Sequence, residues 1–304
     1  MESLSLSAFK AYLDLLRPPL APMDLAMPAA TVLLAAYVST GTFPAFNPFF
    51  LATLGAYCAI TSSYVLNDCC DIDVDRIAMP HRPLPSAKLS KQNALSWSLL
   101  LFLFASAIAL YLNPECFIVL IAATCLITIY SAWAKRNTPF SWLFVGLAFG
   151  LVPLGVWIAI SPLGVLKDGP GFQTASVILS LMICITDWGF TNCDASRDVE
   201  GDIEEGIPTT PATFGIPATA KMVTFFWIVG VALSLFLGLS AGLGSVYIFV
   251  ASVAGAWILL QSFDFISNPV PKRGDQLFYQ SANYRAILFA FLIFNISSRI
   301  VFHI

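Results

Sequence analysis

The chain alternates between long apolar runs and short polar gaps. Each apolar run is about 18–25 residues long, enough to cross a bilayer as a helix. Nine such spans are predicted: Pro19–Thr40, Phe49–Leu66, Ala94–Leu112, Cys116–Trp133, Trp142–Ser161, Ala175–Asn192, Ala220–Leu239, Gly244–Phe263 and Tyr284–Val301. The gaps alternate in character. Gly41–Pro48, Asn113–Glu115, Pro162–Thr174 and Ser240–Leu243 are short or nearly uncharged, whereas Asn67–Asn93, Ala134–Ser141, Cys193–Thr219 and Asp264–Asn283 are long and polar. Before the first span, Leu6, Phe9, Leu13 and Leu16 recur on one side of a predicted interfacial amphipathic helix. That segment mixes Lys10, Asp14 and Arg17 into its apolar repeat, which is not the pattern of a cleavable signal peptide.

Composition supports a membrane protein. The 304 residues are 58% hydrophobic and only 11% charged, where soluble domains carry roughly 25% charged residues. The mean hydropathy is +0.80. The expected fold class is all-α, polytopic, with the spans using up residues 1–304 as a single domain. The sequence suggests no nucleic-acid partner; the lipid bilayer is the expected surrounding. Arg76, Arg82, Lys88, Lys91, Lys135, Arg136, Arg197, Lys221, Lys272, Arg273 and Arg285 lie in or beside the long polar gaps, and only Lys167 lies in the other set. The positive-inside rule puts the long gaps and the N-terminus in the cytoplasm.

Charge changes the picture further. Ten of the eighteen acidic residues fall in two clusters, Asp68–Asp75 after the second span and Asp194–Glu205 after the sixth. If each helix continues through its cluster, Asp68, Asp71 and Asp75 share one face within about 60°, and Asp194, Asp198 and Asp202 stay within about 80°. Asp187 lies on the second face, deeper in the membrane. Stacked carboxylates repel unless cations intervene. Mg²⁺ held by carboxylates together with substrate phosphates solves that problem. Basic residues flank both clusters and would suit the outer oxygens of a diphosphate. The seven cysteines have no zinc spacing, and His81 and His303 stand alone, so thiolate–metal and histidine general-base chemistry are not indicated.

Asn67-Asp68-x-x-Asp71-x-x-x-Asp75, followed by Arg82-Pro83-Leu84-Pro85-Ser86, resembles the first signature of the UbiA superfamily of intramembrane prenyltransferases. Asp194-x-x-x-Asp198-Val199-Glu200-Gly201-Asp202, leading to Gly206-Ile207-Pro208-Thr209, resembles the second. Arg17-Pro18 and Tyr130 with Lys135-Arg136 resemble lesser family marks. The resemblance implies nine helices around a central cavity, with a prenyl diphosphate on Mg²⁺ ions. Asp68, Asp71, Asp75, Asp194, Asp198 and Asp202 would be metal ligands, and Asp68, Asp71, Asp194 and Asp198 the catalytic core. Asn67, Arg82, Tyr130, Lys135, Arg136 and Arg197 would bind substrate. The implied activity is transfer of a prenyl group from its diphosphate to an aromatic or other hydrophobic acceptor. One departure is that Ile207-Pro208 precede Thr209 where many relatives carry a basic residue. It keeps open a UbiA-type terpene cyclase, which needs no acceptor. A cation transporter with two related acidic sites is the reading from another class.

Overall fold

The computed structural model describes residues 9–303. Among these residues nine helices are long and apolar enough to cross a membrane: Pro18–Thr40, Phe46–Cys70, Lys91–Leu112, Pro114–Asn137, Trp142–Ile160, Thr174–Arg197, Ile216–Ser240, Gly244–Ser267 and Pro271–Phe302. They are called the first to ninth spans. No strand occurs among the described residues. The outward faces are apolar, as Leu99, Leu103, Phe249, Leu260 and Phe294 show by their exposure. A soluble protein would bury such a surface; a bilayer covers it.

Before the first span, residues 9–14 are helical. Phe9 and Leu13 are exposed, while Ala11 and Leu15 are buried against Val65, Cys69 and Leu84. The predicted apolar stripe therefore faces outward, and its opposite side anchors the segment to the second span. Leu6 lies outside the described residues.

Three expectations are corrected. Neither acidic cluster continues its helix. The second span ends at Cys70, Asp71 breaks it at φ −105°, ψ 14°, and a short helix Ile72–Ala78 follows. The sixth span ends at Arg197, Asp198 breaks it at φ −89°, ψ 6°, and a short helix Val199–Glu204 follows. A straight helix would stack like charges along one face; the break lets basic side chains in between. The two short helices then pack together, and Gly201 permits this, since a Cβ there would lie 3.3 Å from the Val74 carbonyl oxygen.

Second, the fourth span does not stop at Trp133. A π-helical turn over Tyr130–Ala134 carries it on to Asn137, and Lys135 is only 8% exposed. Such bulges often lie at functional sites. Third, the ninth span begins at Pro271, well before Tyr284. Lys272, Arg273 and Asp275 depress the hydropathy of its first turns, yet Arg273 is buried against Asp264 and Gln261 of the eighth span. Arg285, counted with the polar-gap cations, is instead buried within the bundle.

The main core joins the first, second, fifth, sixth, seventh, eighth and ninth spans around Trp157, Trp227, Tyr247 and Tyr284. Small residues allow close approach, as is usual between membrane helices. A Cβ on Gly150 would lie 2.8 Å from Cys184 Cβ and 3.0 Å from the Ser180 carbonyl oxygen. Gly150→Val is expected to destabilise the bundle by about 1–3 kcal/mol, read as a lower thermal midpoint in lipid; an unchanged midpoint would contradict this packing.

Candidate active site

The breaks at Asp71 and Asp198 bring both acidic motifs to one end of the bundle, together with four basic side chains. Asn67 and Asp68 occupy the last turn of the second span. Arg17 Nη2 donates to Asp68 Oδ1 at 2.7 Å. Arg82 Nη1 lies 2.9 Å from Asp75 Oδ2 and 3.5 Å from Asp68 Oδ1, so one guanidinium joins the two carboxylates. Lys135 Nζ is 2.7 Å from Asp71 Oδ2, which also accepts from Asn67 Nδ2 at 2.8 Å. In the second motif, Arg197 reaches Asp194 and Asp198 at 2.7 Å each. Asp202 is buried and accepts from Thr209 Oγ1 at 2.8 Å.

Arg17 takes a left-handed backbone conformation at φ 51°, ψ 65° before Pro18. Such strain in a non-glycine residue typically costs about 1–3 kcal/mol and is held in place by its surroundings. Here the conformation directs the guanidinium to Asp68 and across the Tyr64 ring, 4.8 Å from its centroid. Burial alone would lower the Arg17 pKa; Asp68 and Asp194 reverse that and raise it. Arg17 thus feels both motifs.

A small polar cavity of about 20 Å³ lies at the second motif, lined by Tyr130, Lys135, Asn192, Asp194, Asp198 and Asp202. It is large enough for one water-sized group, which needs about 10–15 Å³. Lys135 touches the first motif and lines this cavity, so it links the two halves of the site. Beneath the first motif a larger apolar cavity of about 350 Å³ runs between the second, third, fourth and fifth spans. Ser63, Leu66 and Ile127 line it near the polar cluster, and Leu112, Cys116 and Ala159 line its far end.

The residues fit a divalent metal. Six carboxylates (Asp68, Asp71, Asp75, Asp194, Asp198, Asp202) face four cations (Arg17, Arg82, Lys135, Arg197), leaving a deficit of positive charge. Burial raises Asp75 to about 6, with Arg82 offsetting only part of it. Burial likewise raises Asp202 to about 6 despite Lys135 and Thr209. Asn192 and Asp202 each present a buried oxygen with no hydrogen-bond partner. Among the described residues no three carboxylate, thiol or imidazole groups converge tightly enough to enclose an ion alone. Mg²⁺ commonly completes its octahedron with water and substrate phosphate, which suits such an open set of hard oxygens.

A sequence model of the UbiA prenyltransferase family matches residues 27–293. The chain belongs to this family. It is 28% identical over 290 residues to the digeranylgeranylglyceryl phosphate synthase of Thermococcus sibiricus, covering 95% of this chain and 98% of that protein. It is also 28% identical over 255 residues to the protoheme IX farnesyltransferase of Ruthia magnifica, covering 80% of this chain and 81% of that one. The fold is that of a UbiA homolog from Archaeoglobus fulgidus bound to DMAPP and Mg²⁺, with a TM-score of 0.66, 20% identity, and coverage of 94% and 99% of the two chains. The nine spans and the integral, multi-pass architecture expected from the sequence are those of this family.

The structure gathers all the sequence-selected residues at one end, but not equally. Arg136 is exposed, and its guanidinium donates to the Cys70 carbonyl at 3.1 Å, outside the carboxylate cluster. Arg17, read from sequence only as a lesser mark, proves central. Asn192 carries no charge or periodicity that would have selected it, and Thr209 stands in the second signature without a role assigned to it. Asp24 stood in plain view as a charge inside an apolar span.

Proposed function

We propose that this chain is a Mg²⁺-dependent intramembrane prenyltransferase acting on a polyprenyl diphosphate. The observation that supports this best is the junction itself: the second and fourth spans, which carry polar-cluster residues at their ends, also line with Leu66 and Ile127 an apolar cavity of about 350 Å³, within the usual range for ligand pockets of about 300–1,000 Å³. The cavity takes the isoprenoid chain, and the polar cluster takes the diphosphate.

The metal ligands are Asp68, Asp71 and Asp75 from the first motif and Asp194, Asp198 and Asp202 from the second. Bound Mg²⁺ would supply Lewis-acid neutralisation of the leaving diphosphate. The chain's own groups do the rest. Arg17, Arg82, Lys135 and Arg197, now held by carboxylates, donate to the outer diphosphate oxygens as charge builds there. Tyr130 and Asn67 orient the head group. Phe102 and Phe149 in the cavity wall exclude water from the prenyl chain, and Phe149, stacked on Tyr64, is the aromatic ring nearer the diphosphate end. Arg136 contributes positive field from the surface rather than a direct contact.

The acceptor is hydrophobic, a lipid or an aromatic compound; the two named relatives point to different acceptors. A cyclase is the second reading. Ile207, buried at 2% exposure beside the second motif, leaves that position without a phosphate-binding cation. The distribution of Lys and Arg supports a cytoplasmic active site.

A non-hydrolysable geranylgeranyl thiodiphosphate tests the composite site. It should raise the thermal midpoint of the purified protein in lipid only when Mg²⁺ is present. Equal shifts with and without Mg²⁺, or none, would count against the reading.

A further inference from the structure

A second polar centre lies deeper in the bundle, and the site described above does not use it. Asp24, in the first span, is 2% exposed. The Tyr64 hydroxyl is shared between its two oxygens at 3.2 and 3.1 Å. These are its only hydrogen bonds among the described residues, and no ion pair joins it there to a cation. Beside it, Arg285 Nη1 lies 3.3 Å from Asp187 Oδ2 while Nη2 donates to Thr186 Oγ1 at 2.9 Å. Arg285 thus pairs with Asp187 and acts on Asp24 only at a distance. The charged groups acting on Asp24 are Asp187 from the sixth span, Arg285 from the ninth and Arg17.

The centre is joined to the diphosphate end. Tyr64 stands one helical turn, about 6 Å, below Asp68 on the second span. Arg17 covers one face of its ring and also bonds to Asp68. Phe149, stacked on Tyr64 with 6.2 Å between centroids, forms part of the large cavity's wall. Tyr64 is therefore separated from the proposed path of the prenyl chain by the Phe149 ring, and Asp24 lies behind it at the Tyr64 hydroxyl. The centre is also incomplete: Arg285 Nε and Trp227 Nε1 are buried with no hydrogen-bond partner. A carboxylate with only a neutral partner inside a membrane is costly to maintain without a use.

We propose that the Tyr64–Asp24 pair accepts the proton released when the allylic cation is captured. This rests on the reading of the chain as an enzyme that ionises a prenyl diphosphate. The C1–O bond breaks and its electron pair leaves with the diphosphate. A nucleophile, whether an acceptor hydroxyl, a ring carbon or a double bond of the substrate, gives an electron pair to the cation. The proton then lost passes to the Tyr64 oxygen as Tyr64 passes its own to Asp24. The pair ends as a neutral tyrosine and a neutral carboxyl. His81 and His303 are exposed and can take no part, and the motif carboxylates at Asp68, Asp71, Asp194 and Asp198 are engaged by Arg and Lys.

The test follows turnover of geranylgeranyl diphosphate with Mg²⁺ in lipid, using whichever acceptor condition supports the wild type. Asp24→Asn should lower kcat by about 100-fold or more, the usual size of a lost general base, with KM and Mn²⁺ affinity within about twofold. Asp24→Glu should recover part of the rate, and Tyr64→Phe should fall with Asp24→Asn. Should Asp24→Asn fail to fold, Tyr64→Phe carries the same expectation. Wild-type kcat in a folded variant, or a loss of Mn²⁺ affinity in step with kcat, would overturn the proposal. A wild type that turns over no prenyl diphosphate under any condition would instead remove the parent reading, and this one with it.

Discussion

Asp202→Asn is expected to lower turnover by about 10²–10³-fold, the loss typical when transition-state charge is left unmatched, while leaving the thermal midpoint near that of the wild type. The choice of residue follows from the ion-pair map. Asp68, Asp71, Asp194 and Asp198 each hold a basic partner, so truncating any of them strands a cation. Asp68→Ala, for example, would remove the carboxylate that Arg17 bonds at 2.7 Å. Asp202 has only the Thr209 hydroxyl and a free oxygen in the small polar cavity. The amide keeps the shape and the acceptor for Thr209 but removes the charge a metal needs. Steady-state diphosphate release and a melting curve on the same sample check both halves. A large fall in stability would mean that Asp202 is structural; an unchanged rate would remove it from the metal centre.

Lys135→Met should fail on both counts. Lys135 is the link between the motifs, bonded to Asp71 and lining the cavity of Asp194, Asp198 and Asp202. Its removal leaves the buried Asp71 with Asn67 as sole partner. Breaking a buried pair in this way typically costs about 3–5 kcal/mol, and losing a donor to the leaving diphosphate adds about 10²-fold in rate. Lys135→Arg should restore most of the stability but not the full rate, because the planar guanidinium cannot occupy the position of a compact ammonium. Thermal melts and diphosphate release separate the two effects. Full stability in Lys135→Met would show that Asp71 does not depend on it.

Much of this was legible in the sequence, and the failures are instructive. The nine spans were visible because each buries or offers to lipid an unbroken apolar run. The ninth begins too late because its first turns carry Lys272, Arg273, Asp275 and Gln280; Arg273 pairs with Asp264 and Gln280 bonds to Gln261, both on the eighth span, and a hydropathy window cannot see those partners. The acidic motifs were visible by type and spacing. Their shape was not: the helical phase assumed a straight rod, and the rod breaks at Asp71 and Asp198. Convergence survives because it depends on Arg17, Arg82 and Lys135 crossing between elements, with Arg197 gathering its own segment's carboxylates, and not on phase along one straight helix. Arg17 was underrated because its role comes from a strained turn and a partner 51 residues away. Asn192 offers a single oxygen in a small cavity, and no pattern along a chain marks such a position; Thr209 stands in the second signature, but its bond to Asp202 is visible only in the fold.

In the proposed reaction the two acidic motifs form one Mg²⁺-dependent site that ionises a prenyl diphosphate. Diphosphate release by the purified protein in lipid, with geranylgeranyl diphosphate and a panel of hydrophobic acceptors, tests it most directly. Release should require Mg²⁺, be abolished by chelation and fall by about 10²–10³-fold in Asp202→Asn. Product formed only with one acceptor identifies a transferase, and a cyclic hydrocarbon formed without any acceptor identifies a cyclase. Release that continues at full rate in chelator would rule out a Mg²⁺-dependent site.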